Sequence, residues 1–333
     1  MMINKKQSCG FSLVELMVAM VVGLIIVSGA FSLHKGSRKT QKVNEMQMDM
    51  VADARFAIDM ITYDLRHAGL WGGTNKVGLI DCKSTTKCAA STSSGDTPPI
   101  DITGDCVPGW YYNLSRPVFA TDHTVGNPYP TTCIPGSEAY RAGTDILEVR
   151  YADSNITIPA NLSSSRVYVR SNFINGRVFV GNTQPVLDSG DASALTTNNE
   201  LYAFAYYVST FTDSTGDGIP SLRRVALVNT STIESQTLIS GVFNLQVQFG
   251  VDVDGDELID RYVNPDVIAA LDWDDVYAAK IWLVMRSDKP QIGINTAKSF
   301  RIAGEPAVTL GGQDDFRYFM VSSVVNLRNL KQL

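Results

Sequence analysis

From Phe11 to Leu33 the chain carries one formal charge, Glu15. At about 1.5 Å of rise per residue, a helix over that run would be roughly 35 Å long, enough to cross a bilayer. Glu15 is the anomaly in such a span. A carboxylate inside a membrane costs about 2.5–3.5 kcal/mol on insertion scales and is normally paired. No Lys or Arg lies within one helical turn of it, so its partner comes from another chain, from the lipid surface or from the chain's own processed terminus.

The residues before the run decide among export signals. A secretory signal peptide places small residues after its apolar core; here Gly10 precedes it. A lipoprotein signal would need its apolar region before Cys9, where Lys5 and Lys6 stand. A plain uncleaved anchor gives no reason for Glu15. Gly10-Phe11-Ser12-Leu13-Val14-Glu15 instead resembles the class III signal of type IV prepilins and pseudopilins, Gly-Phe-Ser/Thr-Leu-x-Glu followed by an apolar helix. The resemblance implies that a prepilin peptidase cuts between Gly10 and Phe11 and methylates the new terminus at Phe11. It also implies that Glu15 neutralises the N-terminal amine of a neighbouring subunit during assembly. N-methylation keeps that amine cationic, so the pairing would relieve a charge that low dielectric makes expensive.

Two signals disagree on orientation. Lys35, Arg38, Lys39 and Lys42 follow the span and outnumber Lys5 and Lys6 before it, which by the positive-inside tendency would leave the C-terminal side in the cytoplasm. Cys82, Cys88, Cys106 and Cys133 remain once Cys9 departs with the leader, and an even set in an exported, loop-rich segment reads as a two-disulfide staple formed in an oxidising compartment. The cysteines and the signal together outweigh the charge bias and predict a single-pass inner-membrane protein with a periplasmic C-terminal domain. Three pairings are open; proximity alone favours Cys82–Cys88 with Cys106–Cys133. Zinc is the weaker reading, since no Cys-x-x-Cys occurs and only His123 is near.

Beyond the span, Val43, Met46, Met50, Ala54, Ala57, Ile58, Ile61 and Leu65 recur at steps of three and four, one face of an amphipathic helix. Glu45, Asp49, Asp53, Asp59 and Asp64 are expected on the other faces. Arg66 and His67 suit a helix C-terminus and Gly69 a left-handed cap, so one helix is predicted from Phe11 to about Ala68, with Gly23, Gly29 and Gly36 as its weak points. Residues 72–140 have another texture. Ser84 to Pro99 is rich in Ser, Thr, Gly and Pro and reads as an exposed loop, while Trp110, Tyr111 and Tyr112 are expected to anchor this region on the domain.

Period-two alternation predicts strands from Thr144 onward, clearest at Phe243, Leu245, Val247, Phe249 and Val251 and at Leu147, Val149 and Tyr151. Further strands are expected at 165–170, 177–180, 201–211, 222–228, 279–286 and 316–328, with a short helix from Pro265 to Ala278. The predicted fold is α+β: a long N-terminal helix, membrane-spanning in its first half, packed on a mostly antiparallel sheet domain. The expected organisation is a leader at 1–10, an assembly helix at 11–33, its amphipathic continuation at 34–68, the stapled region at 69–140 and a sheet-rich domain at 141–333.

Asp217-Gly218-Ile219-Pro220-Ser221-Leu222-Arg223-Arg224, the strand Ile281 to Ser287 and the tail Leu327-Arg328-Asn329 resemble the PilW minor pilins of type IV pili. The J-type minor pseudopilin of type II secretion is the nearest alternative. The resemblance implies a subunit that primes pilus assembly and sits at or near the filament tip, supporting twitching motility, adhesion or DNA uptake. Its partners would be the prepilin peptidase, other minor pilins, the major pilin and a tip adhesin, with the protein passing from the inner membrane to the extracellular pilus.

Chemistry elsewhere is sparse. No Gly-x-Ser-x-Gly, His-Glu-x-x-His or phosphate loop occurs, so no catalytic residue is assigned. A formal net charge of −6 over 333 residues disfavours general nucleic-acid binding, and none is predicted. Asp252, Asp254, Asp256 and Asp260 form a candidate calcium loop, since alternate carboxylates in a turn can converge on a hard cation. Glu257 stands where an EF-hand requires Gly, and Val263 where it requires the bidentate Glu, so that template fails. The alternatives are a shorter Asp loop, which would make the chain a membrane-anchored calcium- or ligand-binding adhesion domain, and a solvated hairpin turn around Gly255. Asp213 to Gly218 is a weaker echo, expected to be a turn.

Overall fold

The computed structural model describes residues 10, 12–81, 110–121, 134, 136–187, 195–229, 232–268, 272–291, 297–303, 308–312 and 315–330. Leu13–His67 is one α-helix, α1, of 55 residues, and the boundary between two compact units falls inside it, between Asp49 and Met50. In the first unit the helix exposes its apolar side chains, among them Leu13, Met17, Leu24, Ile25 and Phe31. Gly23, Gly29 and Gly36 do not interrupt it. The helix of this unit is long and apolar enough to cross a membrane, with a mean hydropathy of 2.5 over its best window and none of that window buried.

In the second unit the predicted helix face is the buried one. Met50, Ala54, Ala57, Ile58, Ile61 and Leu65 are buried, and each fully buried aliphatic side chain there contributes about 1.5–3 kcal/mol. Ala54 and Ala57 on that face are fully buried. Asp64 departs from expectation: it is buried as well, for a reason given below. Gly69 ends the helix at φ 78°, the left-handed geometry expected of it, and its N–H donates to the carbonyl of Arg150. Asn329 closes the end from the far side of the chain, its Nδ2 donating to the carbonyls of Arg66 at 3.1 Å and Ala68 at 3.2 Å.

The strands are β1 Ile80–Asp81, β2 Val118–Thr121, β3 Ile146–Ile156, β4 Val167–Ser171, β5 Gly176–Val180, β6 Thr197–Ser209, β7 Ser221–Asn229, β8 Thr232–Ser240, β9 Val242–Val251, β10 Arg261–Val263, β11 Val276–Arg286, β12 Lys298–Phe300, β13 Val308–Leu310 and β14 Tyr318–Asn326. Among the described residues, eight of them build one sheet around β6. That strand pairs antiparallel with β3, with β4 through its first residues and with β7 through its last. β2 lies outside β3, β5 and β1 outside β4, and β8 outside β7; β1 on β5 is a parallel pair. The second sheet runs β10-β9-β11-β14, antiparallel throughout. The fold is thus α+β, with the long N-terminal helix and mostly antiparallel sheets that the sequence pattern predicts.

Alternation explains how the sheets share a core. Leu147, Val149 and Tyr151 on β3, Tyr206 on β6, Leu245, Val247 and Phe249 on β9 and Ile281 and Leu283 on β11 pack with the helix face in one cluster. The opposite face of the large sheet is covered too. Trp110, Tyr111 and Tyr112 form a short 3-10 turn buried with Trp71, Ile134, Val169 and Tyr207, the anchoring role expected of that triplet. Between them, Glu148 and Arg150 form a fully buried ion pair, with Arg150 Nε also donating to the carbonyl of Trp110 at 2.8 Å.

One predicted element is replaced by another. The helix predicted over Pro265–Ala278 is instead two 3-10 turns, Pro265–Val267 and Asp272–Asp275, with β11 already begun at Val276. Tertiary packing overrides the local pattern: Trp273 is buried against Phe119 and Phe249, with ring centroids at 4.8 and 5.1 Å. β8 forms where the sequence pattern predicts no strand, because Thr232 to Ser240 is polar at most positions and lacks a clean alternation.

Candidate functional site

The signal lies at the start of α1. Gly10 and Ser12 are exposed, the N–H of Leu16 donates to the carbonyl of Ser12 at 3.1 Å, and Glu15 lies in the first helical turn. There its carboxylate complements the helix N-terminus, where the first N–H groups lack intrahelical acceptors. A mature chain beginning four residues before Glu15 would place a cationic amine at the same end of the helix. Phe11 and the leader before Gly10 lie outside the described residues, as do Cys82, Cys88, Cys106 and Cys133. Lys35, Arg38, Lys39 and Lys42 are exposed on the helix just beyond the apolar run.

At the other end of α1 a buried polar cluster fixes helix to sheet. Asp64 accepts hydrogen bonds from the phenols of Tyr151, at 2.7 Å, and Tyr206. Arg224 Nη1 lies 4.0 Å from Asp64 Oδ2 and its guanidinium stacks 4.2 Å from the Phe204 ring. Burial dominates and pushes the Asp64 carboxyl above the ordinary range, against the lowering influence of Tyr206, Tyr151, Arg224 and His67. The same burial raises both phenols, so Tyr151 and Tyr206 stay protonated donors. Helical periodicity could not find this cluster, since its strand partners are distant in sequence.

The three tail segments that resemble PilW each do a structural job. Asp217 organises the β6–β7 connection: its carboxylate accepts from the N–H groups of Ile219 and Asp213 at 2.9 Å and of Thr212 at 3.1 Å. These bonds, led by that of Ile219, hold its pKa down at about 2. Here the expected turn is found. Arg223 pairs with Glu138, which also accepts from Tyr207 and Ser235. On β11, Arg286 donates to the carbonyl of Gly218 and stacks 4.2 Å from Phe316. Asn329 caps α1.

The acidic loop follows β9. Asp252, Asp254 and Asp260 bring one carboxylate oxygen each within 4.8 Å of one another; Asp256 is not part of that group. Asp252 and Asp260 are engaged with the backbone. Asp252 accepts from the N–H groups of Asp254 at 3.1 Å and of Gly255 and Glu257 at 2.7 Å, and Asp260 from that of Val253 at 2.7 Å. For Asp252, desolvation pushes upward, but the backbone donors together hold its pKa below the ordinary range. Asp254 is raised: the N–H of Asp256 lowers it, and repulsion from Asp256, Asp260 and Asp252 outweighs that bond. Glu257 adopts φ 63°, so the chain makes the left-handed turn for which an EF-hand would supply Gly. The loop is held together by its own carboxylates, as a hairpin turn would be.

Comparison with known protein families matches residues 205–329 to PilW, Type IV Pilus-assembly protein W, and residues 5–31 to the Prokaryotic N-terminal methylation motif. The first match runs from the end of β6 through the whole second sheet to the Asn329 cap, and the second covers the signal with most of the apolar run. Its C-terminal part and its signal are similar to those of PilW-like type IV minor pilins. Among the curated proteins and the solved structures, none matches. With its class III signal and apolar helix, this PilW-like chain is anchored in the inner membrane with its C-terminal domain outside the membrane. Both matched descriptions concern pilus assembly and N-terminal methylation, and neither names a catalytic activity.

Proposed function

We propose that this pilin primes assembly of a type IV pilus and occupies a position at or near the filament tip. The observation that carries the reading is Glu15 in the first turn of an apolar, membrane-length helix that directly follows the Gly10/Phe11 junction. Prepilin peptidase cuts there and methylates Phe11, and the amine so formed is the partner for the Glu15 carboxylate of an adjacent subunit. Only a correctly advanced subunit relieves both charges, so the pair selects register. A domain extending from Met50 to Leu333 is bulky for a repeating shaft, which favours the tip, alongside other minor pilins, the major pilin and an adhesin. Motility, attachment or DNA uptake would then be downstream of the filament. Cys82, Cys88, Cys106 and Cys133 are proposed to form two disulfides in that exported domain.

The test is Glu15→Ala expressed in cells lacking the native copy. Surface pili are expected to fall sharply while the protein stays processed and membrane-bound; normal piliation would remove the assembly role. Mass spectrometry of the mature terminus should read N-methylated Phe11, and any other terminus would remove the processing step.

A further inference from the structure

Among the described residues no strand pairs with the outer side of β14 in the second sheet, and its register says which groups it offers. Ser287 N–H donates to the carbonyl of Arg317, and Leu327 N–H to that of Tyr277, both at 2.9 Å. These two bonds lie at either end of the uninterrupted β11–β14 ladder. They fix the odd-numbered residues Phe319, Val321, Ser323 and Val325 as those whose N–H and C=O face β11. Met320, Ser322 and Val324 therefore turn theirs outward. The outward carbonyl of Tyr318, which accepts from Lys298 Nζ at 3.2 Å, agrees with that phase. On the outward side, the backbones of Met320, Ser322 and Val324 make no hydrogen bond to another described residue, and Ser322 and Val324 are exposed.

Natural sheets guard such edges with charges, prolines, bulges or shortness. β8, the other long edge, carries Glu234 and two register irregularities against β7. β1, β2 and β10 have two, four and three residues. β14 has nine, reading Tyr-Phe-Met-Val-Ser-Ser-Val-Val-Asn, with no charge, no proline and no irregularity against β11. It has every property of a strand meant to be covered.

We propose that β14 is a β-strand addition site that takes an extended, acid-flanked strand from a different polypeptide. Three outward residues supply alternate donors and acceptors for main-chain pairing, which selects a strand over a helix. The flanks select against a second copy of this chain. Antiparallel pairing of two β14 strands would lay the Arg317 end of one beside the Arg328 end of the other, cation against cation. Lys298, at the Tyr318 carbonyl, and Lys280, in register with Val324, add to the same sign. The proposal rests on the sheet and does not depend on the pilus reading.

Hydrogen exchange on the full-length protein in detergent tests it, using as probe a synthetic peptide of eight alternating Thr and Val residues with two Asp at each end. The Ser322 and Val324 amides are expected to exchange at least ~10-fold more slowly with the peptide at millimolar concentration. The Val321 and Ser323 amides, already bonded to β11, should not change. A Lys-flanked peptide should protect less, and a peptide N-methylated at alternate residues, which cannot pair, should not protect at all. Val324→Pro removes an outward donor that the ladder does not use and should abolish protection at an unchanged melting temperature. No slowing with the Asp-flanked peptide, equal slowing with the N-methylated one, or protection that grows with protein concentration in the absence of peptide would each overturn the proposal. The N-methylated probe keeps the test valid even where the proline variant fails to fold.

Discussion

Tyr151 donates its phenolic O–H to Oδ1 of Asp64 at 2.7 Å, tying the middle of β3 to the last turn of α1. Tyr206 of β6 holds the other oxygen, so the helix is registered on the large sheet by one carboxylate gripped from two strands. Apolar burial would allow the helix to slide; two directional bonds do not.

Removing the acceptor orphans two buried hydroxyls. Asp64→Ala is therefore expected to lower stability by about 2–4 kcal/mol, since a buried polar group left unsatisfied costs about 1–3 kcal/mol and part of the carboxylate's desolvation is regained. Asp64→Asn, which keeps an acceptor and sheds the charge, should cost less than the alanine change. Urea unfolding of the protein in detergent measures both, and equal losses for the two variants would show that the hydroxyls have found other acceptors.

The same carboxyl makes stability depend on pH in a direction opposite to most acids. Its folded pKa is raised above the unfolded value of 3.8, so the folded state holds the proton more tightly. That contribution is fully present below the unfolded pKa and is lost as pH rises through the folded one. Subtracting the Asp64→Asn curve from that of the unmodified protein should give a difference that declines from about pH 4 upward and then levels. A difference that instead rises with pH would mean that Tyr151, Tyr206 and Arg224 outweigh burial.

Much of this fold could be read from spacing. The α1 face, the Gly69 cap and β9 follow from periods of 3.6 and 2 because burial there is one-sided and local. Asp64, Glu148 and Arg150 could not be read that way. A charged residue at a core position is legible only through its partners, and these come from β6, from the turn at Trp110 and from the same face of β3. The failure over Pro265–Ala278 has the same root, because Trp273 is fixed by Phe119 and Phe249 and not by its neighbours in sequence. The signal was legible at the opposite extreme, since peptidase recognition and membrane insertion read a contiguous string.

Asn329 makes the tail part of the helix terminus. Asn329→Ala should cost about 1 kcal/mol for two neutral side-chain bonds to carbonyls at a partly exposed site, and it should act locally. Amide exchange in the residues that follow Arg66 is expected to quicken while β9 and β11 are unchanged. A uniform effect across the domain would show the tail to be holding the sheet and not the cap.

Asp217 should titrate well below the ordinary carboxylate range. With a folded pKa of about 2 against 3.8 unfolded, its stabilising effect on the β6–β7 connection is present above pH 3.8 and lost as pH falls toward 2. Carbon-detected NMR of the carboxyl should give a midpoint near 2, moving to the ordinary range in Pro220→Gly only if that proline helps hold the Ile219 N–H in place. Asp217→Asn should broaden amide signals from Thr212 to Ile219 and leave β7 intact; an unaltered loop would mean that Gly216 and Gly218, at φ 96° and 70°, suffice to make the turn.

The acidic loop sets two opposing demands on one residue. Glu257 sits at φ 63°, where a side chain costs about 1–2 kcal/mol relative to the right-handed region, while its N–H helps hold Asp252 ionised. Glu257→Gly relieves the first without touching the second, and also removes a carboxylate from a crowded loop. Net stability is expected to rise by about 0.5–1 kcal/mol after the greater unfolded-state freedom of glycine is counted. Calcium should not be needed for that gain. Three converging carboxylates, each already accepting from the backbone, fall short of the six to eight oxygens a calcium ion takes, so calorimetry should find a dissociation constant no tighter than the order of 10⁻⁴ M. A micromolar constant would mean that the loop opens its backbone bonds to recruit more oxygens, and then Glu257→Gly should change the affinity as well as the stability.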